Sequence, residues 1–141
     1  MNTSQIRFAQ RELQRLGAAV EETGLLDDPS MAAVRERLRG RDDLPDGWTD
    51  WSRTRQMVAF VQSLATDEGI DVGPLDGLWG PNTDFGYSSL RFLREHGELP
   101  PNWRDIPQPP LANPHGWPDE TEASLRAFYG PVATHQTRIE L

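Results

Sequence analysis

Apolar positions along the chain recur every three or four residues, the spacing that places side chains on one face of an α-helix. Over residues 5–16, Ile6, Ala9, Leu13 and Leu16 make such a face, with Ser4 placed to cap the start and Gly17 to stop the end. A second helix is predicted over 29–39, where Met31, Val34 and Leu38 lie between an Asp28 cap, with Pro29 at the first position, and Gly40. The strongest pattern runs over 52–65 and carries Met57, Val58, Val61, Leu64 and Ala65. A fourth helix is expected to start with Asn82 or Thr83 as its cap, to turn Leu90 and Leu93 inward and to end at Gly97. A fifth spans 118–129 with Thr121, Leu125 and Phe128, before Gly130. No alternating run reaches strand length, so the expected class is all-α, a small helical bundle, with any β-structure confined to a short hairpin. Pro107, Pro109, Pro110 and Pro114 make residues 106–116 read as a semi-rigid connector.

The pattern also occurs twice. Leu44, Pro45, Trp48 and Asp50 return as Leu99, Pro100, Trp103 and Asp105, an offset of 55, which Leu38 and Leu93 share. Upstream, Gly24, Leu25 and Ser30 align with Gly77, Leu78 and Thr83 at 53, and Leu13 and Leu16 with Val61 and Leu64 at 48. Such self-similarity predicts a helical hairpin made twice, the two copies burying their apolar stripes against each other. The expected organisation is therefore a first unit over 1–50, a second over 51–105, and a connector with a C-terminal helix over 106–141.

Composition narrows the possible chemistry. A chain of 141 residues has room for one ordinary domain or two small modules, and five Trp and five Phe supply large burial per residue. Fourteen Lys and Arg against 22 Asp and Glu give a net charge of −8, which disfavours a phosphate backbone as ligand and removes nucleic acid from the expected partners. Without cysteine there is no disulfide, thiolate nucleophile or cysteine zinc site. No apolar run has signal-peptide or membrane-spanning length, so neither a membrane partner nor a signal peptide is expected.

One loop stands out. Asp76, Gly77, Leu78, Trp79, Gly80, Pro81, Asn82 and Thr83 follow the helix that carries Val61 and Leu64. This D-G-L-W-G-P-N-T stretch resembles the peptidoglycan-binding domain family, in which a loop of the form D-G-x-[FW]-G-x-x-T joins two helices; the likeness covers about residues 55–97. Gly86 and Tyr87 stand where that family usually has alanine, and Phe92, Leu93 and Arg94 where it typically has Phe-Gln. The resemblance implies two tandem peptidoglycan-binding-like hairpins and a partner made of glycan strands or stem peptides. Trp79 and Tyr87 become stacking candidates, and Asp76, Asn82 and Thr83 polar candidates. Read from the residues alone, Asp76, Gly77, Gly80 and Thr83 build a turn, and Trp79 either plugs it or stacks on a sugar ring. The first unit lacks the Asp-Gly and Trp-Gly features and is expected to be a structural half.

A second resemblance concerns the end of the chain. Residues 117–131, from Trp117 through Tyr129 and Gly130 to Pro131, with Arg138, Ile139, Glu140 and Leu141, are similar to the stretch before the catalytic domain in phage and bacterial zinc peptidases of the D,D-carboxypeptidase and L-alanoyl-D-glutamate endopeptidase family. It implies a linked zinc peptidase domain as a further partner. The implied location is manufacture in the bacterial cytoplasm with action at the cell wall, as part of an endolysin-type enzyme.

Catalysis by the chain itself is not expected. That family's zinc signature needs S-x-H-x-x-G-x-A-x-D and a later histidine, and the surroundings of His96, His115 and His135 do not fit it. No catalytic residue, metal ligand or cofactor is therefore assigned. A lysozyme-like pair of carboxylates stays a lesser alternative, because no such pair can be chosen among 22 acids without a fold. The other competing class is a protein-interaction or packing module that has lost sugar binding.

Overall fold

The computed structural model describes residues 1–107 and 119–129. They are all-α: five helices and two short 3₁₀ turns, with no strand among the described residues. The helices are α1 (Thr3–Arg15), α2 (Asp28–Arg39), α3 (Arg53–Asp67), α4 (Pro81–His96) and α5 (Asp119–Tyr129). The 3₁₀ turns are Trp48–Asp50 and Trp103–Asp105. The chain forms two compact units, Met1–Trp79 and Gly80–Leu141, so α3 belongs to the first and α4 to the second.

In the first unit α1, α2 and α3 pack on one another. Ile6, Ala9 and Leu13 of α1 and Met31, Val34 and Leu38 of α2 are buried, as their spacing predicts. All ten residues from Gln56 to Ala65 in α3 are buried as well, more than one apolar stripe accounts for. The second unit gathers Phe85, Ile106, Leu125, Phe128 and Tyr129 into a core, with Phe92 and Trp103 packed against it. Phe85 lies 5.9 Å from Trp103 and 5.5 Å from Phe128 between ring centroids, and the Tyr129 hydroxyl donates to the Pro107 carbonyl at 3.0 Å.

Helix starts differ from the expected ones by one to three residues, each for a local reason. Asn2, rather than Ser4, caps α1: its side chain accepts the Gln5 N–H while the Gln5 side chain accepts the Asn2 N–H, a reciprocal pair that a Ser4 cap cannot match. Asp27, rather than Asp28, caps α2 through the Ser30 N–H at 3.1 Å. Ser52 caps α3. Neither Asn82 nor Thr83 caps α4: the helix begins upstream at Pro81, whose fixed φ and missing N–H suit a first turn, with Gly80 at the cap position.

Local hydrogen bonding recurs along the chain. α1 ends with Gly17 at φ +95° and the Ala18 N–H on the Leu13 carbonyl; α3 ends with Gly69 at φ +81° and the Ile70 N–H on the Ala65 carbonyl, both bonds 2.9 Å. The register is therefore 52 here, and Leu13 matches Ala65 rather than Val61. The expected offset of 48 is one helical turn short, a slip that apolar spacing hardly registers because residues four apart share a face. Both closing segments make a 3₁₀ turn in which the tryptophan carbonyl accepts from the residue three on, Trp51 or Ile106, at the predicted offset of 55.

The connector beyond Pro107, the Pro118 helix start, His115, Trp117, His135 and the tail from Gly130 to Leu141 lie outside the described residues.

Candidate functional site

The resembling loop begins where α3 has finished and the chain must return along it. Its geometry is set by a glutamine inside α3. Gln62 occupies a position on the apolar face, four residues after Val58, and is 1% exposed. An amide buried there must find partners or cost a few kcal/mol, roughly 1–3 per unsatisfied group. Gln62 Nε2 donates to Asp76 Oδ1 and to the Leu78 carbonyl, both at 3.1 Å, and Gln62 Oε1 accepts the Gly77 N–H at 2.9 Å. One amide thus grips three consecutive residues of the loop.

Asp76 completes the turn from its own side. Its Oδ1 also accepts the Leu78 N–H at 2.9 Å, an Asx turn that leaves φ +71° to Gly77. The Asp76 carbonyl accepts from Arg55 Nε at 2.9 Å, and the Arg55 guanidinium lies 4.0 Å above the Trp51 ring. Only glycine fits at 77: a Cβ there would lie 2.4 Å from Arg55 Cγ and 2.6 Å from the Arg55 carbonyl oxygen. With both backbone polar groups of Leu78 engaged from below, its side chain projects outward and is 59% exposed, and Trp79 next to it is half-buried.

The first repeat contains the same device. Gln10, fully buried in α1, donates through Nε2 to Thr23 Oγ1, the Leu25 carbonyl and Ser30 Oγ at 2.9–3.0 Å, and its Oε1 accepts the Gly24 N–H at 2.9 Å. Thr23 Oγ1 takes the part of the Asp76 carboxylate and accepts the Leu25 N–H at 3.2 Å. Gly24 has φ +75°, and Leu25 is 66% exposed. The acid sits elsewhere: Thr23 donates at 2.8 Å to Asp27, whose carboxyl is held below the usual carboxylate range by hydrogen bonds from Ser30 and then from Thr23.

The predicted site residues are distributed over both units. Asp76, Gly77 and Trp79 belong to the first, with Asp76 and Gly77 consumed in the turn as just described. Gly80, Asn82, Thr83 and Tyr87 belong to the second; Asn82 is exposed in the first turn of α4, whereas Thr83 and Tyr87 are 3% and 7% exposed. Tyr87 carries the Arg91 guanidinium 5.2 Å from its ring centroid. Ser89 donates to the Phe85 carbonyl at 2.8 Å, a structural use, and His96 stacks on Phe92 at 4.0 Å. The residues that sequence reasoning missed are Gln10 and Gln62. Their signal was a polar amide on an apolar helical face, present in both repeats at an offset of 52.

No group of three or more histidines or acids among the described residues could hold a metal ion. A cavity of about 140 Å³ opens between Leu16, Arg41, Phe60 and Leu64, and its Arg41 is already engaged by Asp43 and Asp67 at 2.8–3.1 Å. No family model, no curated protein and no solved structure matches the chain.

Proposed function

We propose that this protein is a non-catalytic peptidoglycan-binding module that holds a cell-wall hydrolase at its polymer. The observation that carries this reading is the loop of residues 76–79. Its inward polar groups are satisfied by Gln62 and Asp76, it is fixed to the start of α3 by Arg55, and it presents Leu78 and part of Trp79 outward. A loop built this way is ordered before ligand arrives, so binding loses little conformational freedom. Its exposed parts are apolar and aromatic, suited to the C–H faces of sugar rings and the methyl groups of stem peptides. A net-acidic chain on a polymer that itself carries carboxylates relies on such contacts rather than on charge. Tethered to a zinc peptidase domain, the module would raise the local concentration of substrate without doing chemistry.

One observation favours a second reading, in which the chain docks on another protein: Tyr87 and Thr83 are packed away rather than displayed. Sedimentation with insoluble peptidoglycan separates the two. Retention of the folded chain that Trp79→Ala weakens supports wall binding; absence of retention of the folded wild type overturns it.

A further inference from the structure

We infer that the first-repeat loop, residues 23–27, is a second contact element for the same repeating polymer, with Leu25 as its ligand-facing side chain. The inference rests on the peptidoglycan reading above and extends it to the half of the chain that the sequence marks as structural only.

The two loops share one inward clamp. Gln10 and Gln62 each bind the N–H of a positive-φ glycine and the carbonyl of the leucine that follows it. Thr23 and Asp76 each accept from that glutamine and from the leucine N–H. The leucine backbone is thereby used up, and only its side chain faces outward.

Leu25 and Leu78 are the exposed large apolar side chains among the described residues. A single exposed leucine needs no explanation. Two of them at the same position of two separately built loops are a different matter, since a turn that served structure alone gains nothing from an apolar tip. Thr23 replacing Asp76 and Thr3 replacing Arg55 opposite the glycine show that surrounding residues have diverged while the outward leucine is the same.

Both loops are also tied to the first turn of α3. The Arg53 guanidinium donates to the Leu26 carbonyl and pairs with Asp28, and Arg55, two residues later in α3, holds the Asp76 carbonyl. Both lie in the compact unit Met1–Trp79. A pair of like contact points on one rigid unit fits a ligand that repeats along its length. Once one loop is engaged, the second meets a neighbouring segment at high effective concentration.

The test uses the full chain, with insoluble sacculi and a solubilised single disaccharide-peptide as probes. Leu25→Ser and Leu78→Ser should keep the wild-type melting curve. Each should weaken retention on sacculi about tenfold, the loss expected when one buried leucine contact is removed, and the double variant should abolish it. On the single-unit probe, where either loop suffices, each single variant should change binding no more than about twofold. Leu25→Ser with wild-type affinity for sacculi overturns the inference, whatever Leu78→Ser does, and leaves the wall-binding reading standing if the wild type is retained. A wild type that is not retained overturns both. A Leu25→Ser effect confined to self-association in sedimentation velocity also overturns it and marks the leucine as a contact between copies of the chain.

Discussion

The loops at Gly24 and Gly77 solve one problem with two sets of residues. Each must reverse the chain after a helix, bury a glutamine amide and push a leucine outward. The first does it with a hydroxyl, Thr23, and moves the acid to the cap of α2 at Asp27. The second does it with the Asp76 carboxylate and starts α4 on Pro81 with Gly80 at the cap position. What both retain, a glutamine and a positive-φ glycine, is the minimum that fixes the turn. The resembling motif includes the glycine and the acid but not the glutamine that makes them cohere.

Substitutions can break this comparison. Replacing either glutamine by leucine should cost most, about 3 kcal/mol each, because it strands the buried glycine N–H and removes the partner of the leucine C=O; urea unfolding of Gln10→Leu and Gln62→Leu should show similar losses, and a markedly smaller loss at one site would mean that its clamp is dispensable. Gly77→Ala comes next at about 2–3 kcal/mol, since it adds a left-handed alanine to an overlap with the Arg55 backbone. Gly24→Ala should cost less, about 1–2 kcal/mol, because the atoms in its way are Thr3 Cγ2 and the flexible Arg7 side chain. Equal melting temperatures for the two alanine variants would contradict that difference.

The smallest effect concerns pH. Hydrogen bonds from Ser30 and then Thr23 hold the Asp27 carboxyl below the ordinary aspartate range, so they stabilise the fold above that range and the contribution is lost as pH falls through the lower folded value. Asp27→Asn should therefore flatten the acid limb of the melting-temperature profile below about pH 4. An unchanged acid limb in Asp27→Asn would remove Asp27 from the first loop's energetics.

Much of the fold was legible because helical periodicity is strong where one face is buried. The stripe of Ile6, Ala9 and Leu13, and the stops at Gly17 and Gly97, were read directly from spacing and from glycine. Caps were less legible, since Asn2 competes with Ser4 and Asp27 with Asp28, and the outcome depends on which partner three residues on can reciprocate. The repeat register slipped by a turn in α3 because apolar spacing cannot distinguish Val61 from Ala65, whereas a hydrogen bond from a chain reversal can. In the candidate site, Asp76 and Gly77 were legible as a turn. The clamp was not, since a glutamine on a helix reads as solvated until burial is known, and Gln62 is separated from its partners by 14 residues or more.

The division of labour inside each clamp has a consequence for variation. Gln10 and Gln62 hold a glycine N–H and a leucine C=O, groups that every residue type at the tip would also supply, except that proline has no N–H for the Leu25 and Leu78 positions to donate. Positions 25 and 78 are therefore interchangeable sockets: new side chains other than proline can be displayed there in pairs, on a shape already paid for by the helices beneath, and a library of such residues at those two positions should share one melting temperature while differing in what it binds.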